Sequence, residues 1–215
     1  MRNRDKGMMI ISSLICLLPM LFSAAVYDAL PAQVAVHWNS AGVPDQYAGR
    51  VLAAFGLPVL LLAIHLLSAV FLLRDPRREV GSQTLRLLGI WVIPALSVIL
   101  VPVTLLIAMG TDIPIVMLVT LLVGTMLVVV GNYLPKSRQN YTVGIKLPWT
   151  LNSEENWNKT HRVAGYLWVL GGILLLAGSF LLHDTGARLP LTLGIVAVLI
   201  IVPAAYSYRL YRRGI

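Results

Sequence analysis

The sequence predicts an all-α integral membrane protein with six transmembrane helices and both termini in the cytoplasm. Three observations carry this. The chain of 215 residues is 58% hydrophobic and only 12% charged, with a mean hydropathy of +0.80, whereas soluble domains carry about 25% charged residues. Six runs (8–27, 51–73, 87–109, 115–133, 163–182 and 189–208) contain no Asp, Glu, Lys or Arg. Each is close to the about 20 apolar residues needed for a crossing, and helices satisfy their own backbone polar groups in lipid. The third observation is the placement of the cations. With the amino terminus inside, Arg2, Arg4, Lys6, Arg74, Arg77, Arg78, Arg86, Lys136, Arg138, Lys146, Lys159, Arg162, Arg209, Arg212 and Arg213 fall on the inner side. Only Arg50 and Arg188 fall outside, so 15 of the 17 cations are inside while the nine acids divide five to four. This is the positive-inside asymmetry. The net charge of +8 is therefore topological, with a secondary attraction to anionic inner-leaflet lipid. No basic stretch has the character of a nucleic-acid reader, so no direct nucleic-acid binding is expected.

The first run begins after Arg2, Arg4 and Lys6 and ends near Ser23-Ala24-Ala25, which imitates a cleavable signal peptide. It is read as a retained span because that keeps an even number of crossings with a consistent charge bias. Cys16 is the sole cysteine and reads as a buried, inert thiol. Residues 28–50 form an outer segment: Gln33–Asn39 reads as extended, and Ser40-Ala41-Gly42 with Val43-Pro44-Asp45 as turns. The second helix ends at the basic turn Arg74-Asp75-Pro76-Arg77-Arg78. Helices three and four are joined by Gly110–Pro114, with Asp112 expected to cap the fourth helix and Pro114 to lie in its first turn. His183–Arg188 joins helices five and six, and Pro190 is expected to open the sixth. Pro19, Pro58, Pro94, Pro102 and Pro203 fall inside runs, where each frees a carbonyl that a neighbour must satisfy. Gly124 and Gly131 share a face of the fourth helix, and Gly165, Gly171, Gly172 and Gly178 offer close-approach positions on the fifth.

His65 lies mid-span. An ionisable group at that depth suggests function, but no run contains an acid to partner it. The reading it favours is a neutral imidazole bonded to a carbonyl freed by proline. His37, His65, His161 and His183 have no metal-ligand spacing, and no nucleophile elbow, zinc motif or phosphate-binding loop is present. The reading is therefore a non-enzyme without catalytic residues, metal or cofactor.

The inner loop 134–162 is richer than a connection requires. Gly131 and Asn132 are expected to release the fourth helix, which Pro135 stops. Asn140, Tyr141 and Gly144 suggest a second turn, and Trp149 and Trp157 suit the headgroup region. Asn152-Ser153-Glu154-Glu155 is a helix start with acids in the first turn. Trp157, His161 and Ala164 then share a face, with Lys159 and Arg162 in reach of lipid phosphate. The plainer alternative is an interfacial anchor.

At these residues the chain resembles the SdpI family of bacterial immunity proteins. Val36-His37-Trp38-Asn39 with Gly42, Pro44-Asp45 and Tyr47 is similar to the small domain of unknown function common at the front of that family. The second block runs from Gly131-Asn132-Tyr133-Leu134-Pro135-Lys136 through Asn140, Gly144-Ile145-Lys146 and Pro148-Trp149-Thr150-Leu151 to Trp157 and Lys159-Thr160-His161-Arg162. Lys146 departs from the expected Arg and keeps the charge. The resemblance implies a multi-pass protein of the bacterial cytoplasmic membrane. It would have an amino-terminal unit, 1–73, and an SdpI-like unit, 87–215. It further implies protection against a secreted peptide toxin, with relay to a cytoplasmic transcriptional repressor. His37, Trp38, Asn39, Gly42 and Asp45 would shape an outer ligand site. Asn132, Pro135, Asn140, Gly144, Pro148, Trp149, Trp157, Thr160, His161 and Arg162 would shape the inner one. The competing reading is a small transporter or lipid-handling protein.

Overall fold

The computed structural model describes residues 3–76, 82–182 and 185–215. Arg2, Arg77, Arg78, His183 and Asp184 lie outside the described residues, as do the side chains of Arg4 and Arg188. Six helical segments are long and apolar enough to cross a bilayer: Asp5–Ala29, Leu52–Arg74, Gln83–Ala108, Ile115–Lys136, Glu154–Leu181 and Leu189–Arg212. Their outer surfaces are apolar, with Leu21 72% and Leu181 76% exposed. In water each such side chain would forgo roughly 1.5–3 kcal/mol of burial; facing lipid it forgoes little. This is a multi-pass cell membrane protein.

The chain folds as two compact units, residues 1–73 with 87–115, and residues 74–86 with 116–215. In the first, the opening span divides into α1 (Asn3–Leu17) and α2 (Pro19–Val26). Pro19 lacks an N–H and breaks the helix at Leu18. Close to that break the Ser97 hydroxyl donates to the Cys16 carbonyl at 2.7 Å, the kind of compensation an intramembrane proline demands. A hairpin of β1 (Gln33–Trp38) and β2 (Pro44–Gly49) follows, its Val34 fully buried in a cluster with Leu30, Ala53, Ala54, Val101 and Leu105. Pro44 and Asp45 were expected in a turn, but both belong to β2, and the turn needs only Asn39–Val43. The second span opens with a π-helical turn, Leu52–Gly56, and continues as α3 (Leu57–Arg74). The third is α4 (Gln83–Ala108), which contains both Pro94 and Pro102.

In the second unit, α5 (Ile115–Tyr133) coincides with the charge-free run. Asp112 does not cap it: the helix starts three residues later, and Asp112 makes no hydrogen bond among the described residues. Pro114 likewise stands just before the helix. Gly131 does not release α5 but packs within it. A Cβ on Gly131 would stand 3.0 Å from the Gly165 carbonyl, and one on Gly165 2.8 Å from that of Gly131. Gly124 and Gly172 repeat the reciprocal contact one heptad away, at 3.1 and 2.6 Å. The two pairs hold α5 antiparallel against α7 (Glu154–Leu181), with backbones closer than any side chain allows. α6 (Pro148–Asn152) is a short preceding helix. α8 (Thr185–Arg212) packs on α7 where Ile195 and Leu199 meet Gly171, and Leu191 meets Gly178. Pro190 does not open α8; the helix starts at Thr185, and Pro190 sits just past its first turn.

Candidate functional sites

The hairpin tip gathers the candidate residues of the first unit. The side-chain oxygen of Asn39 accepts the N–H groups of Ala41 and Val43 at 2.9 and 3.0 Å. This Asx arrangement mimics a backbone turn. Gly42 completes it with φ of 78°, a left-handed conformation that favours glycine. The strand register shifts on both sides of His37, and such bulges re-aim side chains. His37 Nδ1 meets Asp45 Oδ1 at 2.5 Å across the hairpin, with both side chains exposed. Trp38 pairs opposite Pro44 and is half-buried. All five candidates therefore lie in one small element: Asn39 and Gly42 form the turn, while His37 and Asp45 face solvent.

His65 is fully buried, and its partner is not the proline-freed carbonyl the sequence suggested. Nε2 lies 2.9 Å from the hydroxyl of Ser12 on α1. The hydroxyl also donates to the Met9 carbonyl at 3.1 Å, so the imidazole fastens α3 to α1.

The loop after α5 is a closed polar network. Asn140 Oδ1 accepts the N–H groups of Thr142 and Val143 at 3.0 and 2.7 Å, and its Nδ2 donates to the Arg138 carbonyl at 2.9 Å. Thr150 Oγ1 accepts the Leu147 N–H at 2.9 Å and donates to the Ile145 carbonyl at 2.7 Å. The Trp157 indole donates to the Ser137 carbonyl at 2.7 Å. Ser153 caps α7 by accepting the Asn156 N–H at 3.1 Å. His161 Nε2 accepts the Ile145 N–H at 2.9 Å, and Nδ1 lies 2.8 Å from the Trp157 carbonyl. An amide can only donate and a carbonyl can only accept. The ring is therefore neutral with its proton on Nδ1, and neither nitrogen is left for proton transfer. The imidazole also stacks on Trp157 at 3.9 Å between centroids.

Other signature residues are spent on packing. Pro135 covers Gly165, which has no room for a Cβ beside the proline ring. Gly144 has φ of 128°, and a Cβ there would fall on His161 Nε2 and Trp157. Thr160 donates to Asn156 Oδ1 at 3.1 Å; the same oxygen accepts from Ser207 at 2.8 Å, so α7 is bonded to α8. Pro148 opens α6, placing Trp149 against Tyr208 and Tyr211 at 5.4 and 5.7 Å. Asn132 and Arg162 are exposed and stand apart from the network.

Sequence reasoning missed Asp75, Ser137, Gln139, Thr150, Asn156 and Ser207 as members of this site. Asp75 is buried and accepts the Tyr141 N–H at 3.0 Å and the Thr142 hydroxyl at 2.5 Å. Gln139 donates to the Thr150 carbonyl at 2.8 Å. A signal existed for Asn156: with Thr160 it forms an i,i+4 polar pair on the face of Trp157 and His161. What the network leaves outward is basic: Lys136, Arg138, Lys146 and Arg162 are exposed.

Residues 136–207 match the SdpI/YfhL protein family, and residues 14–62 match a domain of unknown function, DUF1648. The chain is similar to the immunity protein SdpI of Bacillus subtilis (strain 168), with 29% identity over 199 residues, covering 93% of this chain and 94% of the relative. No solved structure matches.

Proposed function

We propose that this chain, whose residues 136–207 match the SdpI/YfhL protein family, is an immunity protein that protects a bacterium against a secreted antimicrobial peptide. One observation carries the reading: the similarity to the Bacillus immunity protein spans both units and nearly the whole of each chain. In this reading the cation bias turns the hairpin outward, where His37 and Asp45 offer an exposed hydrogen-bonding pair to a peptide. The loop after α5 then faces the cytoplasm. Its buried network makes a fixed platform for Arg138 and Lys146, which present positive charge to a soluble repressor. Two surfaces on opposite faces could be coupled only through an element with two arrangements, and the proline breaks are where such an element would be built.

Deleting the gene and challenging the cells with the peptide toxins they secrete tests the reading. Survival is expected to fall, and to return with the intact gene but less well with Asp45→Ala. Unchanged survival in the deletion strain overturns the immunity reading. A relay predicts a second effect: charge reversal at Arg138 and Lys146 should alter toxin-induced transcription while leaving survival intact. Unaltered transcription overturns the relay alone.

A further inference from the structure

An apolar groove of about 700 Å³ runs beside the base of the hairpin and down the start of the second span, bordered by Tyr27, Arg50, Leu52, Phe55, Gly56 and Val59. Its volume lies within the roughly 300–1,000 Å³ typical of small-molecule sites. Arg50 is held at its mouth. The backbone N–H donates to the Ala32 carbonyl at 3.1 Å, and the guanidinium sits 4.9 Å above the Tyr27 ring. Tyr27 in turn packs on Phe55 at 5.6 Å. The guanidinium makes no ion pair among the described residues; Asp28, adjacent to Tyr27, leaves it unpaired. Below it the helix takes a π turn, with the Leu57 N–H bonded to the Leu52 carbonyl, a distortion often found at functional sites. Leu52 and Val59, 61% and 51% exposed, form the rim.

We infer that this groove holds one anionic phospholipid, with its phosphate on Arg50 and an acyl chain along Leu52, Phe55 and Val59. Depth and charge both select that occupant. Arg50 stands two residues before the span Leu52–Arg74, which puts it at headgroup level. From Arg50 to Val59 the helix rises about 13 Å at about 1.5 Å per residue, close to the roughly 15 Å that is half the hydrocarbon core. A planar guanidinium held over the Tyr27 ring presents its N–H groups to phosphate as a fork, which suits a bidentate contact. An unpaired cation beside an apolar slot matches a lipid that is negative at one end and oily at the other. A zwitterionic headgroup brings its own ammonium, which Arg50 repels and which already partners the phosphate.

The test uses full-length protein in vesicles of phosphatidylcholine with a minority of phosphatidylglycerol, either lipid carrying a diazirine in its acyl chain. After photolysis, crosslinks are mapped by mass spectrometry. The phosphatidylglycerol probe is expected to label residues 52–59 at least fivefold more than the phosphatidylcholine probe. Arg50→Gln should abolish that preference, and Arg50→Lys, which keeps the charge without the planar fork, should restore part of it. Equal labelling by the two probes in the native protein overturns the inference without reference to any variant. Full labelling by phosphatidylglycerol in a folded Arg50→Gln protein also overturns it. So does complete displacement by soluble glycerol phosphate, which would mean a phosphate site without a lipid. Dimers with an unlabelled groove would assign it to a second copy.

Discussion

The backbone amide of Ile145 donates to Nε2 of His161 at 2.9 Å, so a bond to one histidine on α7 closes the loop that follows α5. The residue before it, Gly144, takes a φ of 128° to bring that amide to the ring nitrogen. Polar residues that read as ligand contacts thus have a local task first. They fold a connection that leaves Lys136, Arg138 and Lys146 exposed.

Gly144→Ala should open the loop. The side chain would meet His161 and Trp157, and a non-glycine residue in such a conformation costs of order 1–3 kcal/mol even without the clash. His161→Ala should act similarly by stranding the Ile145 amide, at about 1–3 kcal/mol. Since about 1.4 kcal/mol is a factor of ten, limited trypsin cleavage at Arg138 and Lys146 should accelerate about tenfold or more in both. The helical circular dichroism should hold. Unchanged cleavage would refute the closure.

The paired glycines make a separate prediction about stability. Gly131→Ala and Gly172→Ala each force a methyl between backbones already in contact, and overpacking of this kind costs typically about 1–3 kcal/mol. Gly194→Ala on α8 meets nothing within 4 Å and should be neutral or slightly stabilising, since alanine is the better helix former. Thermal unfolding in detergent separates the two outcomes. Equal melting temperatures for all three variants would mean that α5 and α7 do not meet through these positions.

Asp75→Ala removes an acceptor from the loop without touching a span. The Tyr141 amide loses a charge-assisted bond worth about 1.5–3 kcal/mol, so its hydrogen exchange should quicken by roughly ten- to a hundredfold. Asp112→Ala is the control, because Asp112 makes no hydrogen bond among the described residues. Exchange at Tyr141 that is the same in both variants would remove Asp75 from the network.

The six spans are legible in the sequence because hydrocarbon excludes charge, and α5 shares both ends, Ile115 and Tyr133, with its charge-free run. The glycine face is legible too, since a residue without a side chain at seven-residue spacing has few other uses. Pairing across sequence is not. Asp75 sits in a turn whose neighbours are arginines, and nothing there announces that its carboxylate serves an amide and a hydroxyl 66 and 67 residues away. Asn39 and Asn140 are identifiable as turn formers, yet the sequence does not say that turning uses up their amide oxygens. The serine that meets His65 is 53 residues distant, and an isolated hydroxyl in an apolar run gives no hint of its partner. Local chemistry survives translation into sequence; the matching of donors to acceptors requires the fold.

The cation bias makes a topological prediction that the structure helps to design. Cys16 is buried and is the sole cysteine, so Cys16→Ala gives a silent background. Asn140 is a poor reporter because it is buried and holds the turn. Ser40 in the hairpin turn and Asn158 on the exposed side of α7 are better, since both are exposed and neither side chain is bonded. In intact cells an impermeant maleimide should label Ser40→Cys and leave Asn158→Cys untouched, and inside-out vesicles should reverse the pattern. This orientation puts fifteen cations inside against two outside, as the positive-inside rule expects. Labelling of Asn158→Cys in intact cells would place the basic loop outside, contradict the charge rule, and assign peptide contact to the loop rather than to the hairpin.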